Sequence, residues 1–227
     1  MIHTQQPDMD ILSREGELRE ELAAYFLSVP SLAEQSEGER ADTRRALRQL
    51  LRLENASVIA SAGISRPLAG GDLSGTLAAL LEACRTVAVG AGYTLSVHID
   101  PDLERPLLTA FEPRLIQLAV TGLIRSVCLS NPCGAVTASL YAGPHSLTVS
   151  ITGDRFVPEE GAMAVARETA RLHQGTLAVS EGTVAFSVRT ALPQTGGWTD
   201  YASSDELLQY LLSSVQVGLY SSLYPDE

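Results

Sequence analysis

Residues Arg114 to Cys133, RLIQLAVTGLIRSVCLSNPC, constrain the chain most. Over 113–129 the spacing predicts a helix that is apolar on most of its circumference: Leu115, Ile116, Leu118, Ala119, Val120, Leu123, Ile124, Val127 and Cys128. A helix apolar nearly all round must be buried, so other elements have to wrap it. One polar stripe survives at spacings of three and four, made of Arg114, Gln117, Thr121 and Arg125, and this is the face to aim at a ligand pocket.

The flanking sequence predicts what does the wrapping. Gly63 to Gly71, GISRPLAGG, reads as a linker. Asp72 then caps a helix carrying Leu73, Leu77, Leu80, Leu81, Cys84, Val87 and Ala88. YTLSVHID alternates as a strand, with His98 on its polar side facing solvent. Asn131-Pro132-Cys133-Gly134 is a turn, and AVTASLYA and SLTVSIT form a hairpin across residues 143–145. DRFVPEEGA leads into the helix AMAVARETARLHQ, ended by Gly175. TLAVSE and TVAFSVRTA are two more short strands separated by Gly182, and Leu192-Pro193 closes the domain. The fold class is α+β, a mixed sheet with helices packed on one face.

Before this domain, residues 8–62 read as a helical hairpin. Its first helix carries Leu18, Leu22, Tyr25, Phe26 and Val29, and its second sets Leu47, Leu50, Leu51, Leu53 and Val58 on one face. Two helices bury little alone, so the hairpin pairs with a second copy in a four-helix bundle or folds on its own C-terminal domain. After it, residues 194–227 form an acidic tail: no basic residue follows Arg189. SDELLQYLLSSV within the tail predicts a short helix, docked on its own domain or on a partner.

A formal net charge of -11 disfavours binding to a phosphate backbone or anionic lipid, since neutralising phosphates needs clustered cations, and no nucleic-acid partner is expected. No apolar run approaches the roughly 18 to 20 residues that span a bilayer, and MIHTQQPDMD lacks a signal-peptide pattern, so a cytoplasmic protein without a membrane partner is expected. The three cysteines, Cys84, Cys128 and Cys133, match no zinc or redox spacing and are expected as reduced thiols.

Three segments resemble sensor histidine kinases, over roughly residues 68–193. EPRLIQLAVTGLIRSV resembles the family's helix bearing Glu or Gln and two Asn, AMAVARETARLHQGTLAVS its helix ending in His-Gly-Gly, and GTVAFSVRTALP its closing strand. The resemblance implies a sandwich of the histidine kinase ATPase type, with the hairpin in the place of the family's dimerisation and phosphoacceptor helices.

Position by position, the resemblance also implies that the chemistry has changed. Gln117 suits its place, but the two metal- and phosphate-holding Asn correspond to Thr121 and Arg125. Arginine offers no acceptor and repels a metal, although it can neutralise a phosphate. Where the family has Asp-x-Gly-x-Gly stands ITGDRFVP, leaving Thr152 and Asp154. The phosphate-cradling glycines align with Glu160 and Ala162, with Gly161 nearby, and the lid is missing. The hairpin carries no histidine, and His173 matches a structural position. The expectation is a non-catalytic module of bacterial two-component signalling, with no metal and no ATP, that dimerises and binds a response regulator or a sensor kinase. The alternatives are a divergent ATP-binding kinase and a module for another anionic small molecule, clamped by Arg114 and Arg125.

Overall fold

In a computed structural model, the residues described are 36–193, 195–196 and 215–223. The predicted first helix of the hairpin, and the predicted tail helix apart from Val215, lie outside them. The chain divides into two compact units, Met1–Asp42 and Thr43–Glu227.

Helix α1 runs Glu37–Ala60. A capping box starts it: the Glu39 carboxylate accepts from the backbone N–H of Ser36 at 2.8 Å and from its hydroxyl at 2.7 Å. Its buried residues are Thr43, Arg44, Leu47, Leu51, Glu54 and Val58. Leu53, expected on the apolar face, is 56% exposed, because the helical stripe through Leu47, Leu51 and Val58 passes through Glu54 instead. Glu54 tolerates that position because Arg114 reaches it.

The segment read as a linker ends in a strand. β1 (Ala69–Asp72) pairs antiparallel with β3 (Leu108–Phe111), a two-stranded sheet that the sequence reading does not contain. Between them lie α2 (Leu73–Gly90) and β2 (Thr94–Ile99). Asp72 caps α2 as expected, accepting from the Gly75 N–H at 3.1 Å, and the same oxygen accepts from the Leu107 N–H at 3.1 Å. One carboxylate therefore starts a helix and anchors the approach to β3. Just before β1, Leu68 accepts at its carbonyl from the N–H groups of Thr195 and Gly196 and donates to the Thr195 hydroxyl.

By length and composition alone α2 could cross a membrane, which corrects the reading that no such run exists. Here it is a core helix, burying Leu73, Leu77, Leu80, Leu81, Cys84 and Ala88.

Next come α3 (Pro113–Ser130), β4 (Ala135–Ala142), β5 (Ser146–Thr152), α4 (Glu160–Leu172), β6 (Leu177–Ser180) and β7 (Thr183–Arg189). The five-stranded sheet has the order β2-β4-β5-β7-β6, parallel between β2 and β4 and antiparallel elsewhere. Strand alternation sends Leu95, Val136, Ala138, Leu140, Leu147, Val149, Ile151, Val184, Phe186 and Val188 to one face, where all are buried. Helices α2, α3 and α4 pack against the sheet. Every residue of α3 from Leu115 to Cys128 is buried, as its apolar circumference requires.

Candidate functional site

The polar stripe of α3 is buried with the rest of the helix: Gln117 is 0%, Thr121 1% and Arg125 2% exposed. Arg114 and Arg125 reach other parts of the chain, whereas Thr121 bonds within the helix. Arg114, at the start, forms an ion pair with Glu54 of α1. The Thr121 hydroxyl donates to the Gln117 carbonyl at 2.7 Å. Arg125 donates through Nε and Nη2 to one oxygen of Glu159, at 3.0 and 2.5 Å. Its Nη1 donates to the Gly218 carbonyl at 3.4 Å.

Glu159 occupies the N-cap position of α4 but makes no side-chain capping bond, because its carboxylate is committed to Arg125. Its side chain is 46% exposed, so one partner of the pair is half in water while the other is buried.

The Gly218 carbonyl comes from the far end of the chain. A π-helical turn at Gln216–Tyr220 and a helical turn at Ser221–Leu223 pack on α2 and α3, burying Val215, Leu219, Tyr220 and Leu223. Gly218 sits at the closest approach. A Cβ there would lie 2.9 Å from the Thr121 hydroxyl oxygen and 3.0 Å from its Cβ, so a side chain would require Thr121 or the segment to shift. The stripe read as facing a ligand thus faces the chain's own end.

The loop after β5 is held elsewhere. The Thr152 hydroxyl sits 3.1 Å from that of Thr183 on the neighbouring strand. Asp154 is an exposed turn residue packed over Gly134. The loop beyond is strapped to the C-terminal end of α3. Asn131 donates to the carbonyls of Val127 and Arg155, both at 2.7 Å, and accepts from the Arg155 N–H at 3.1 Å. Ser130 accepts from the Val157 N–H at 3.0 Å. Glu160 and Gly161 open α4; Glu160 is exposed in its first turn, where an acid suits the helix dipole. The Arg125–Glu159 pair and the bonds to Arg155 and Val157 therefore bind the same β5–α4 connection to the C-terminal half of α3.

His173 closes α4. It is fully buried; its Nδ1 lies 2.7 Å from the Thr169 carbonyl, and its Nε2 accepts from the Glu112 N–H at 2.9 Å. A carbonyl can only accept and a backbone N–H can only donate, so Nδ1 carries the proton and the ring is neutral. Burial holds its pKa below the ordinary histidine value, against the opposing effect of the Thr169 bond. Two residues on, Gly175 lies against β7: a Cβ there would sit 1.8 Å from the Ser187 carbonyl oxygen.

Cys84 and Cys128 are buried and Cys133 is exposed, all unpaired. Burial raises the Cys84 thiol far above its usual range and pushes Cys128 up to about 12. Among the described residues no cluster of three His, Cys, Asp or Glu could hold a metal.

Sequence reasoning missed four residues that define this region: Glu54, Asn131, Glu159 and Gly218. Glu159 carried a usable signal, an acid beside a helix start in a chain with an arginine on its most buried helix.

The chain resembles solved histidine kinases. It is similar to full-length ShkA in complex with AMPPNP (17% identity, TM-score 0.55), over 83% of this chain and 47% of that one. It is also similar to a histidine kinase from Burkholderia phymatum STM815 (17% identity, TM-score 0.45), over 81% and 92% of the two chains. A third similarity is to AdeS from Acinetobacter baumannii (12% identity, TM-score 0.47), over 78% and 93%. The fold is that of the histidine kinase ATPase domain. The chain spans about half the length of ShkA. No family model and no curated protein matches the sequence.

Proposed function

We propose that this protein is a kinase-like component of two-component signalling that has given up nucleotide chemistry and acts as a regulatory or interaction module. In this reading it works in the cytoplasm as a homodimer, with a response regulator or a sensor kinase as partner. One observation carries the reading: the Arg125–Glu159 ion pair, at the heart of the stripe where a kinase needs neutral oxygen donors for Mg²⁺. Mg²⁺ requires several oxygen ligands in near-octahedral geometry. This stripe offers a fixed cation already neutralised by its own carboxylate, and a threonine whose hydroxyl proton goes to the helix backbone. The residues present do not suit a Mg-nucleotide. The sequence adds that the only histidine before His98 is His3.

Titration calorimetry with ATP and Mg²⁺ tests the reading. No saturable heat is expected at micromolar to millimolar nucleotide. Micromolar binding that Arg125→Ala or Thr121→Ala abolishes, or labelled phosphate appearing on the protein, would restore the divergent-kinase alternative.

A further inference from the structure

The stripe on α3 already has an occupant, and its features are those of a ligand. We infer that the cleft formed by α2 and the Thr121–Arg125 stripe of α3 is a peptide-binding site, filled in cis by the chain's own residues 215–223. The ligand class is a short apolar segment with a central glycine, V-x-x-G-L-Y-x-x-L as it stands here.

Three observations converge on this. The first is shape: Gly218 passes so close to Thr121 that a methyl group would fit only if one of the two shifted, which favours glycine at one position of the ligand and disfavours a large side chain there. The second is a readout of peptide backbone: Nε and Nη2 of Arg125 are held by Glu159, and the remaining Nη1 meets a main-chain carbonyl. A guanidinium oriented in this way recognises what any peptide offers, leaving selectivity to the side chains. The third is anchoring: Val215, Leu219, Tyr220 and Leu223 are all buried, on both sides of the glycine. Residues 197–214 join the segment covalently to Gly196, so its binding is intramolecular and a free peptide has to compete with an effective concentration. The tethered segment therefore excludes free competitors of ordinary affinity. The inference does not rest on loss of catalysis, since an active kinase could carry the same latch.

The test uses the full-length protein and a fluorescein-labelled synthetic peptide of residues 213–225, followed by anisotropy. Wild type, with its cleft filled, should bind the peptide weakly. Gly218→Leu in the protein expels the tethered segment, and the wild-type peptide should then bind about tenfold tighter or more. A peptide carrying the same substitution should show no gain. Hydrogen exchange should find 215–223 protected in wild type and released in the variant. Leu223→Glu releases the segment from its other end, and serves if Gly218→Leu fails to fold. Free-peptide exchange rates for 215–223 in wild type would overturn the inference. So would failure of both folded variants to gain peptide binding. Neither result would bear on Mg-nucleotide binding, so this reading and the preceding one can fail separately.

Discussion

Helix α3 is held in two different ways along its length. At its start it is fastened through its cap: the Glu112 carboxylate accepts from the Leu115 N–H at 2.5 Å, the Glu112 N–H is accepted by the buried His173 ring, and Arg114 pairs with Glu54 beside them. In its second half a buried cation reaches the start of α4 and the chain's distant end: Arg125 holds Glu159 and the Gly218 carbonyl. The first junction ties the start of α3 to the end of α4 and, through the His173 carbonyl, to β7. The second lies on the buried Thr121–Arg125 stripe and joins it to the start of α4 and to residues 215–223. The helix start is thus secured inside the sandwich, while its buried cation also depends on a segment beyond it.

The larger loss of stability is expected at His173. His173→Ala leaves the Glu112 N–H without its acceptor and opens a cavity, for an expected loss of about 3 to 4 kcal/mol in urea unfolding. A loss below about 1 kcal/mol would mean that this junction is not what secures α3. Glu159→Ala should cost less, about 2 kcal/mol. It strands a buried guanidinium, but the removed carboxylate was half in water and solvent can partly replace it. Equal costs at the two sites would erase the distinction between them. The smallest effect is in pH. The folded pKa of His173 is lowered, so the unfolded chain binds the extra proton first. Its contribution is complete above about pH 6.5 and declines as pH falls through the folded value, by at most about 1.4 kcal/mol per pH unit. His173→Ala should remove that component of the slope.

Much of the fold is legible from pattern alone. Leu147, Val149 and Ile151 alternate, α3 is apolar all round, and Asp72 stands where a cap belongs; each of these is a local signal. β1 is not legible, because Ala-Gly-Gly-Asp has almost no side chains to alternate and reads as linker. β3 is too short to show a period. The site is less legible, for a different reason. Arg125 announces itself, but its partners lie 34 and 93 residues away. Gly218 has no side chain with which to advertise a contact, and its importance appears only where Thr121 meets it. Leu53 and Glu54 exchange the places expected of them because a buried carboxylate is affordable only beside Arg114, a pairing that helical periodicity cannot encode.

The backbone bonds joining Leu68 to Thr195 and Gly196 bring the point where the chain enters the sandwich beside the point where it leaves. A domain closed in this way behaves like a loop with a clasp: it can be cut open at a surface turn and rejoined at the clasp with its sheet order unchanged.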